Sequence, residues 1–152
     1  MKVIVDGDAC SRLGTIIKIC RKDNIELHVF HDIDHELEMD YGEEHIVTMG
    51  SNSADYAVLS VCRRGDIVVT RDTGLASMVL SMKIACVNDN GREYLDKDID
   101  NMLADRYMST LERGSRIKKP VRGKWPKAKK KNFETFFPRM IEREKQKLSE
   151  AV

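Results

Sequence analysis

Short apolar runs alternate with stretches of helix-spaced apolar residues along most of this chain, and that alternation predicts its elements. Met1 to Val5 reads as a buried strand that stops abruptly at Asp6-Gly7-Asp8. Ile16, Ile17, Ile19 and Cys20 recur at helical spacing, which predicts a helix capped by Ser11 and ending near Asp23-Asn24. Ile25 to Phe30 alternates as a strand. His45 to Met49 reads as another, followed by a turn at Gly50-Ser51-Asn52. Ser53 to Arg64 carries Ala54, Ala57, Val58 and Val61 on one helical face and closes at Gly65. Asp66 to Thr70 (DIVVT) has an unbroken β-branched centre, as a strand buried on both faces does. Asp72 and Thr73 then read as a turn and cap, Leu75 to Met82 as a helix, Ile84 to Val87 as a strand and Asn88 to Gly91 as a turn. Helices are expected from Asp96 to Leu111 and from Phe133 to Leu148.

Strands that alternate with helices imply crossover connections, so the expected fold class is α/β: a three-layer sandwich around a mainly parallel sheet of four or five strands. A chain of 152 residues with 41% hydrophobic content suits a single domain over 1–152. Within it, 113–132 reads as a basic linker and 133–148 as a C-terminal helix. The net charge of +1 hides a strong asymmetry. Asp32 to Glu44 holds seven acids and no Lys or Arg, whereas Arg113 to Lys131 holds ten bases and no acid. No window approaches the roughly 18 apolar residues of a membrane span, and no signal-peptide pattern opens the chain, so a cytoplasmic location and no membrane partner are expected. Cys10, Cys20, Cys62 and Cys86 lack the spacing of a zinc or redox motif and read as reduced, mostly buried thiols. Cys10 stands out because it flanks the first two aspartates.

In an open α/β sheet, ligands bind beyond the carboxyl ends of the strands. Four acids are expected at that edge: Asp6 and Asp8 after the first strand, Asp55 in the first turn of a helix, and Asp72 after DIVVT. Asp66 begins its strand and belongs roughly 16 Å away, at the opposite edge. Taken singly, Asp72 suits a helix cap, Asp55 a helix N-terminus, and Asp6 or Asp8 a turn. Taken together, without an interleaved Lys or Arg, they repel one another unless something cationic binds. Oxygen ligands of this kind suit Mg²⁺ or Mn²⁺. Thr70 and Ser53 are placed to orient ligands or water by hydrogen bonds, and Arg71 is a candidate for contacting a phosphate.

The stretches VDGDAC, GSNSADYAV, GDIVVTRDTGLA and NDNGREY, with Arg106 further on, resemble the YaiI/YqxD (UPF0178) family of the PIN-like nuclease superfamily over roughly residues 1 to 137. The resemblance implies a PIN-like strand order and a metal-dependent nuclease that hydrolyses RNA phosphodiesters with metal-activated water. It implies Asp6, Asp55 and Asp72 as catalytic metal ligands with Asp8 as an auxiliary. Members usually read DADACP, where this chain has Gly7 and Ser11 in place of the alanine and the proline. Their N-P-R-G turn is Asn88-Asp89-Asn90-Gly91 here, and their G-P-K is Trp125-Pro126-Lys127.

Two other functions fit parts of the sequence. A phosphatase of the haloacid-dehalogenase type would use Asp6 as nucleophile, with Lys83 and Asp89 recruited to the site, but leaves Asp55 and Asp72 unexplained. A non-catalytic RNA-binding module would use the basic run, with Lys127, Lys129, Lys130 and Lys131 on phosphates and Trp125 stacked on a base.

Overall fold

A computed structural model describes residues 1–7, 10–32, 39–47, 53–114 and 132–151. Its sheet holds six strands: β1 (Lys2–Asp6), β2 (Glu26–Asp32), β3 (Glu43–Val47), β4 (Ile67–Val69), β5 (Ala85–Val87) and β6 (Glu93–Tyr94). The order is β3-β2-β1-β4-β5-β6, with the first five parallel and β6 antiparallel to β5. The helices are α1 (Leu13–Lys22), α2 (Ser53–Val61), α3 (Thr73–Ser81), α4 (Ile99–Gly114) and α5 (Phe133–Glu150). The order of the parallel strands puts β1 at the centre, and Val3, Ile4 and Val5 are fully buried there.

Strand alternation sorts side chains to two faces. Val3, Val5, Leu27, Val29, Ile67, Val69 and Val87 pack on one side with Ile16, Ile17 and Cys20 of α1 and Phe133, Phe137, Met140 and Ile141 of α5. On the other side, Ile4, Phe30, Val68 and Cys86 meet Val58 of α2, Leu75, Ala76 and Val79 of α3, and Met102 of α4. This is the expected three-layer sandwich.

Several details differ from the sequence reading, each for a physical reason. The sheet has one strand more than expected, because β6 is a two-residue pairing too short to leave a periodic signal. In β2 every residue from Leu27 to His31 is buried, since both faces are covered, so His28, a polar position of the apparent alternation, is buried too. Ser11 does not cap α1. Arg12 holds the N-cap position without a side-chain cap, and Ser11 is engaged elsewhere. Helix α2 stops at Val61, and Gly65, at φ +95°, shapes the turn into β4 instead of ending the helix directly. A 3₁₀ turn at Asp96–Asp98 precedes α4. The predicted turn at 50–52 and nearly all of the basic linker lie outside the described residues.

Gly7 leaves β1 against β2. A Cβ there would meet Val29 Cγ1 at 2.8 Å and the Phe30 carbonyl oxygen at 3.1 Å, and Val29 is fully buried and short. Gly7→Ala is therefore expected to destabilise the protein by about 1–2 kcal/mol through overpacking, read as a lowered thermal midpoint.

Candidate functional site

The carboxyl ends of the parallel strands deliver polar side chains to one edge. Asp6 ends β1 on the face of Ile4, and Thr70 follows β4 on the face of Val68. The Thr70 hydroxyl joins two of the predicted acids. Its Oγ1 donates to Asp6 Oδ2 at 3.0 Å and accepts from the Asp72 backbone N–H at 3.0 Å. Thr70 is itself pinned: its N–H donates to the Val87 carbonyl (3.0 Å), and its carbonyl accepts from the Tyr94 hydroxyl (3.2 Å). Thr70 thus holds hydrogen bonds to the side chain of one predicted acid and the backbone of another.

Asp72 is the N-cap of α3, and its Oδ1 accepts from the N–H groups of Gly74 (2.8 Å) and Leu75 (3.3 Å). The capping role and a ligand role are compatible, because a carboxylate offers about four lone-pair sites on two oxygens. Asp55 is buried in the first turn of α2, the helix laid across β1, β2 and β3 on the face that Asp6 and Thr70 share. Asp66 lies at the opposite edge as expected. It accepts from the backbone N–H groups of Lys2 (2.9 Å) and Arg63 (2.7 Å) and pairs with Lys2 Nζ at 2.9 Å. Asp8, Trp125, Lys127, Lys129, Lys130 and Lys131 lie outside the described residues, as do the side chains of Ser53 and Arg106, whose backbones belong to α2 and α4.

An acid that the sequence reading did not place in the metal site also stands at this edge. Asp89, 1% exposed, follows β5. Its Oδ2 accepts from Ser11 N–H (2.8 Å) and Ser11 Oγ (2.7 Å), and its Oδ1 accepts from Arg71 Nε. Burial pushes the Asp89 pKa up, but the Arg71 guanidinium and the two Ser11 donors outweigh it and hold the carboxyl below its ordinary value. Arg71, expected to be a loop arginine available to phosphate, is thus anchored through Nε while half its side chain stays exposed. The signal that would have found Asp89 is the strand-end rule that found Asp6 and Asp72, since Asp89 stands two residues beyond Val87.

Asp6, Cys10, Val69, Thr70, Arg71 and Asp89 line one narrow cleft. Burial first, then the charges of Asp89 and Asp6, push the Cys10 thiol up to about 11. At neutral pH Cys10 is a thiol and a poor nucleophile. Its alkylation by iodoacetamide should be slow at pH 7.5 and accelerate only above about pH 10, which peptide mapping by mass spectrometry would follow. All four cysteines are unbridged, and Cys20, Cys62 and Cys86 are buried. Lys83, which the phosphatase reading needs beside Asp6, precedes β5 at the other edge of the sheet, 3.9 Å from Asp96.

The fold and the edge together define an open α/β protein with a narrow cleft, lined by Asp6, Asp89 and Arg71 among others, at the ends of its parallel strands. The family model described as "Uncharacterized BCR, YaiI/YqxD family" matches residues 4–143, and the chain belongs to that family. It is similar to a UPF0178 protein of Clostridium novyi, 37% identical over 113 residues (74% of this chain and 76% of the relative). It is also similar to a UPF0178 protein of Clostridium acetobutylicum, 31% identical over 147 residues (95% and 99%). No solved structure matches the chain. Among the described residues, no helix is long and apolar enough to cross a membrane.

Proposed function

We propose that this chain is a Mg²⁺- or Mn²⁺-dependent phosphodiesterase acting on RNA, with Asp6, Asp55 and Asp72 as metal ligands and Asp8 as an auxiliary. The observation that supports the reading is the Thr70 bridge, which ties the Asp6 carboxylate at the end of β1 to the backbone N–H of Asp72 at the start of α3. The donors are hard carboxylate oxygens from β1, the loop after β4 and the start of α2, a set that suits Mg²⁺ or Mn²⁺ better than softer ions. When bound, such an ion lowers the pKa of water and stabilises charge on phosphoryl oxygens.

The protein's own groups do the rest. Thr70 fixes the rotamer of Asp6. Asp72 caps α3 through Oδ1, and its second oxygen would be the one offered to an ion. Arg71 presents a guanidinium at the cleft, and its anchor to Asp89 uses one of five donors, so phosphate charge can be neutralised by an arginine whose position is already set. The basic segment 113–131 adds a sequence-independent attraction for the phosphate backbone.

A product test separates this reading from its rivals. The full chain, stripped with EDTA and given Mn²⁺, is incubated with end-labelled single-stranded RNA and with p-nitrophenyl phosphate. Mn²⁺-dependent shortening of the RNA, with the phosphomonoester untouched, is the expected result. Hydrolysis of the phosphomonoester alone would establish a phosphatase, and RNA retention without cleavage would establish a binding module.

A further inference from the structure

A second group of metal-ligating side chains lies on the β2–β3 border. His28 and Glu43 are direct partners in the parallel ladder, as are Phe30 and His45 two residues further on, so all four side chains share one face. His28 Nδ1 and His45 Nε2 are 2.8 Å apart. Glu43 Oε2 is 3.5 Å from His28 Nδ1, and Glu43 Oε1 is 3.9 Å from His45 Nε2. One donor atom from each residue falls within 4.8 Å of the others.

Two further features set this group apart from an ordinary polar cluster. The first is the far side of the His28 ring. Its Nε2 is buried and makes no well-aligned hydrogen bond, yet it lies 3.3 Å from Glu26 Oε1. A proton on Nε2 facing Glu26 leaves the Nδ1 lone pair pointing at His45 and Glu43. Metal-binding histidines recur in this arrangement, with the outer nitrogen turned to a carboxylate and the inner one to the ion. The second is the support of His45. The Phe30 ring stacks on it at 4.4 Å with planes 10° apart, which fixes where its nitrogen points.

His31, one strand position from Phe30 on the opposite face, provides the contrast. Its Nδ1 meets the Asp32 carbonyl at 2.7 Å and its Nε2 meets Glu44 Oε1 at 2.5 Å, so both nitrogens have acceptors and the residue serves the fold alone.

We propose that His28 Nδ1, His45 Nε2 and a Glu43 carboxylate oxygen form a binding site for one zinc-type divalent cation, with Glu26 as a positioning residue behind His28. Tetrahedral Zn²⁺ with ligands at 2.0–2.1 Å separates its donor atoms by about 3.3 Å. The two nitrogens are 2.8 Å apart, the Glu43 oxygens come within 3.5 Å of His28 Nδ1 (Oε2) and 3.9 Å of His45 Nε2 (Oε1), and one donor atom from each residue lies within 4.8 Å of the others, so side-chain adjustments complete the site. Two imidazoles and one carboxylate select zinc and its transition-metal neighbours over Mg²⁺ and Ca²⁺. Three protein ligands leave the fourth position to water. The site is independent of the acidic crevice. Asp6 pairs with Phe30 and Phe30 with His45, so the two lie two strand spacings apart, about 10 Å.

The test titrates the chelator-stripped full chain with Zn²⁺ at pH 7 by competition against a chromophoric chelator, and records visible spectra with Co²⁺ in its place. With excess Mg²⁺ present to occupy the acidic crevice, one tight, saturable Zn²⁺ per chain and the intense d–d bands of tetrahedral Co²⁺ are expected. Glu43 is largely exposed, so Glu43→Gln should fold normally by far-UV circular dichroism while binding at least about 10-fold more weakly. His45→Gln should abolish the cobalt bands, and Glu26→Gln should weaken binding by about 10- to 100-fold. Asp6→Asn should leave both readouts unchanged. The absence of a saturable site, wild-type affinity in folded Glu43→Gln, or loss of the site in Asp6→Asn in place of His45→Gln would overturn the proposal. None of these outcomes depends on RNA cleavage.

Discussion

Asp6→Asn is expected to lower Mn²⁺-dependent RNA cleavage by at least about 100-fold while leaving the thermal midpoint near that of the wild type. Residues that merely orient a metal ligand cost about 10- to 100-fold when changed, and a ligand costs at least as much. Asn keeps the size of Asp6 and an oxygen that can accept from Thr70, so the loss falls on charge at the crevice and spares the packing of β1. Asp72→Asn should give the same result for a related reason. Asn caps helices as well as Asp does, so α3 keeps its start while the crevice loses a charge. Asp66→Asn is the control from the far edge and should keep cleavage within about twofold, whatever it does to stability through Lys2. Single-turnover rates at saturating Mn²⁺ would decide. Equal losses in Asp6→Asn and Asp66→Asn would mean that the carboxyl edge has no special part in the chemistry.

The largest effect on stability is expected at Asp89. Asp89→Ala removes the acceptor of Ser11 N–H, Ser11 Oγ and Arg71 Nε at one stroke. Ser11 itself is exposed, so its donors can turn to water, and the cost is the loss of charge-assisted hydrogen bonds to a buried carboxylate, about 1.5–3 kcal/mol by urea unfolding. The half-exposed Arg71 can turn to water and adds little. The pH dependence has a definite sign. The folded-state pKa of Asp89 is depressed, so its contribution is present above the unfolded value near 3.8 and fades as pH falls through the lower folded value. Wild type and Asp89→Ala should therefore differ most at neutral pH and converge as the solution is acidified below about pH 4. A difference that stayed constant to pH 2.5 would mean that the carboxylate charge is not what Ser11 and Arg71 hold.

Much of this architecture could be read from the sequence because its signals are local. DIVVT announces a doubly covered strand through composition alone, and the strand-turn-helix rhythm then implies parallel pairing. Asp6 and Asp72 could be found because a strand end needs only a few residues to define it. Ser11 could not, because its side chain is bonded 78 residues away, at Asp89, and no local preference for capping encodes that. The histidines of β2 were hidden for a similar reason. His28 looked like the polar half of an alternating strand, and only the register with β3 brings it to Glu43 and His45. The pairing β5–β6 escaped because two residues carry no period.

The terminal helix has a consequence for how the protein is made. Phe133, Phe137, Met140 and Ile141 cover the face of the sheet on which Val3 and Val5 lie, so β1 is covered by a helix synthesised roughly 130 residues after it. At about 5–20 residues per second, that face waits roughly 6–25 s for its cover, with valines and isoleucines of the central strands open to other chains in the interval. Maturation of this protein is thus tied to translation speed, and a nascent chain paused before α5 is the form that most needs a chaperone.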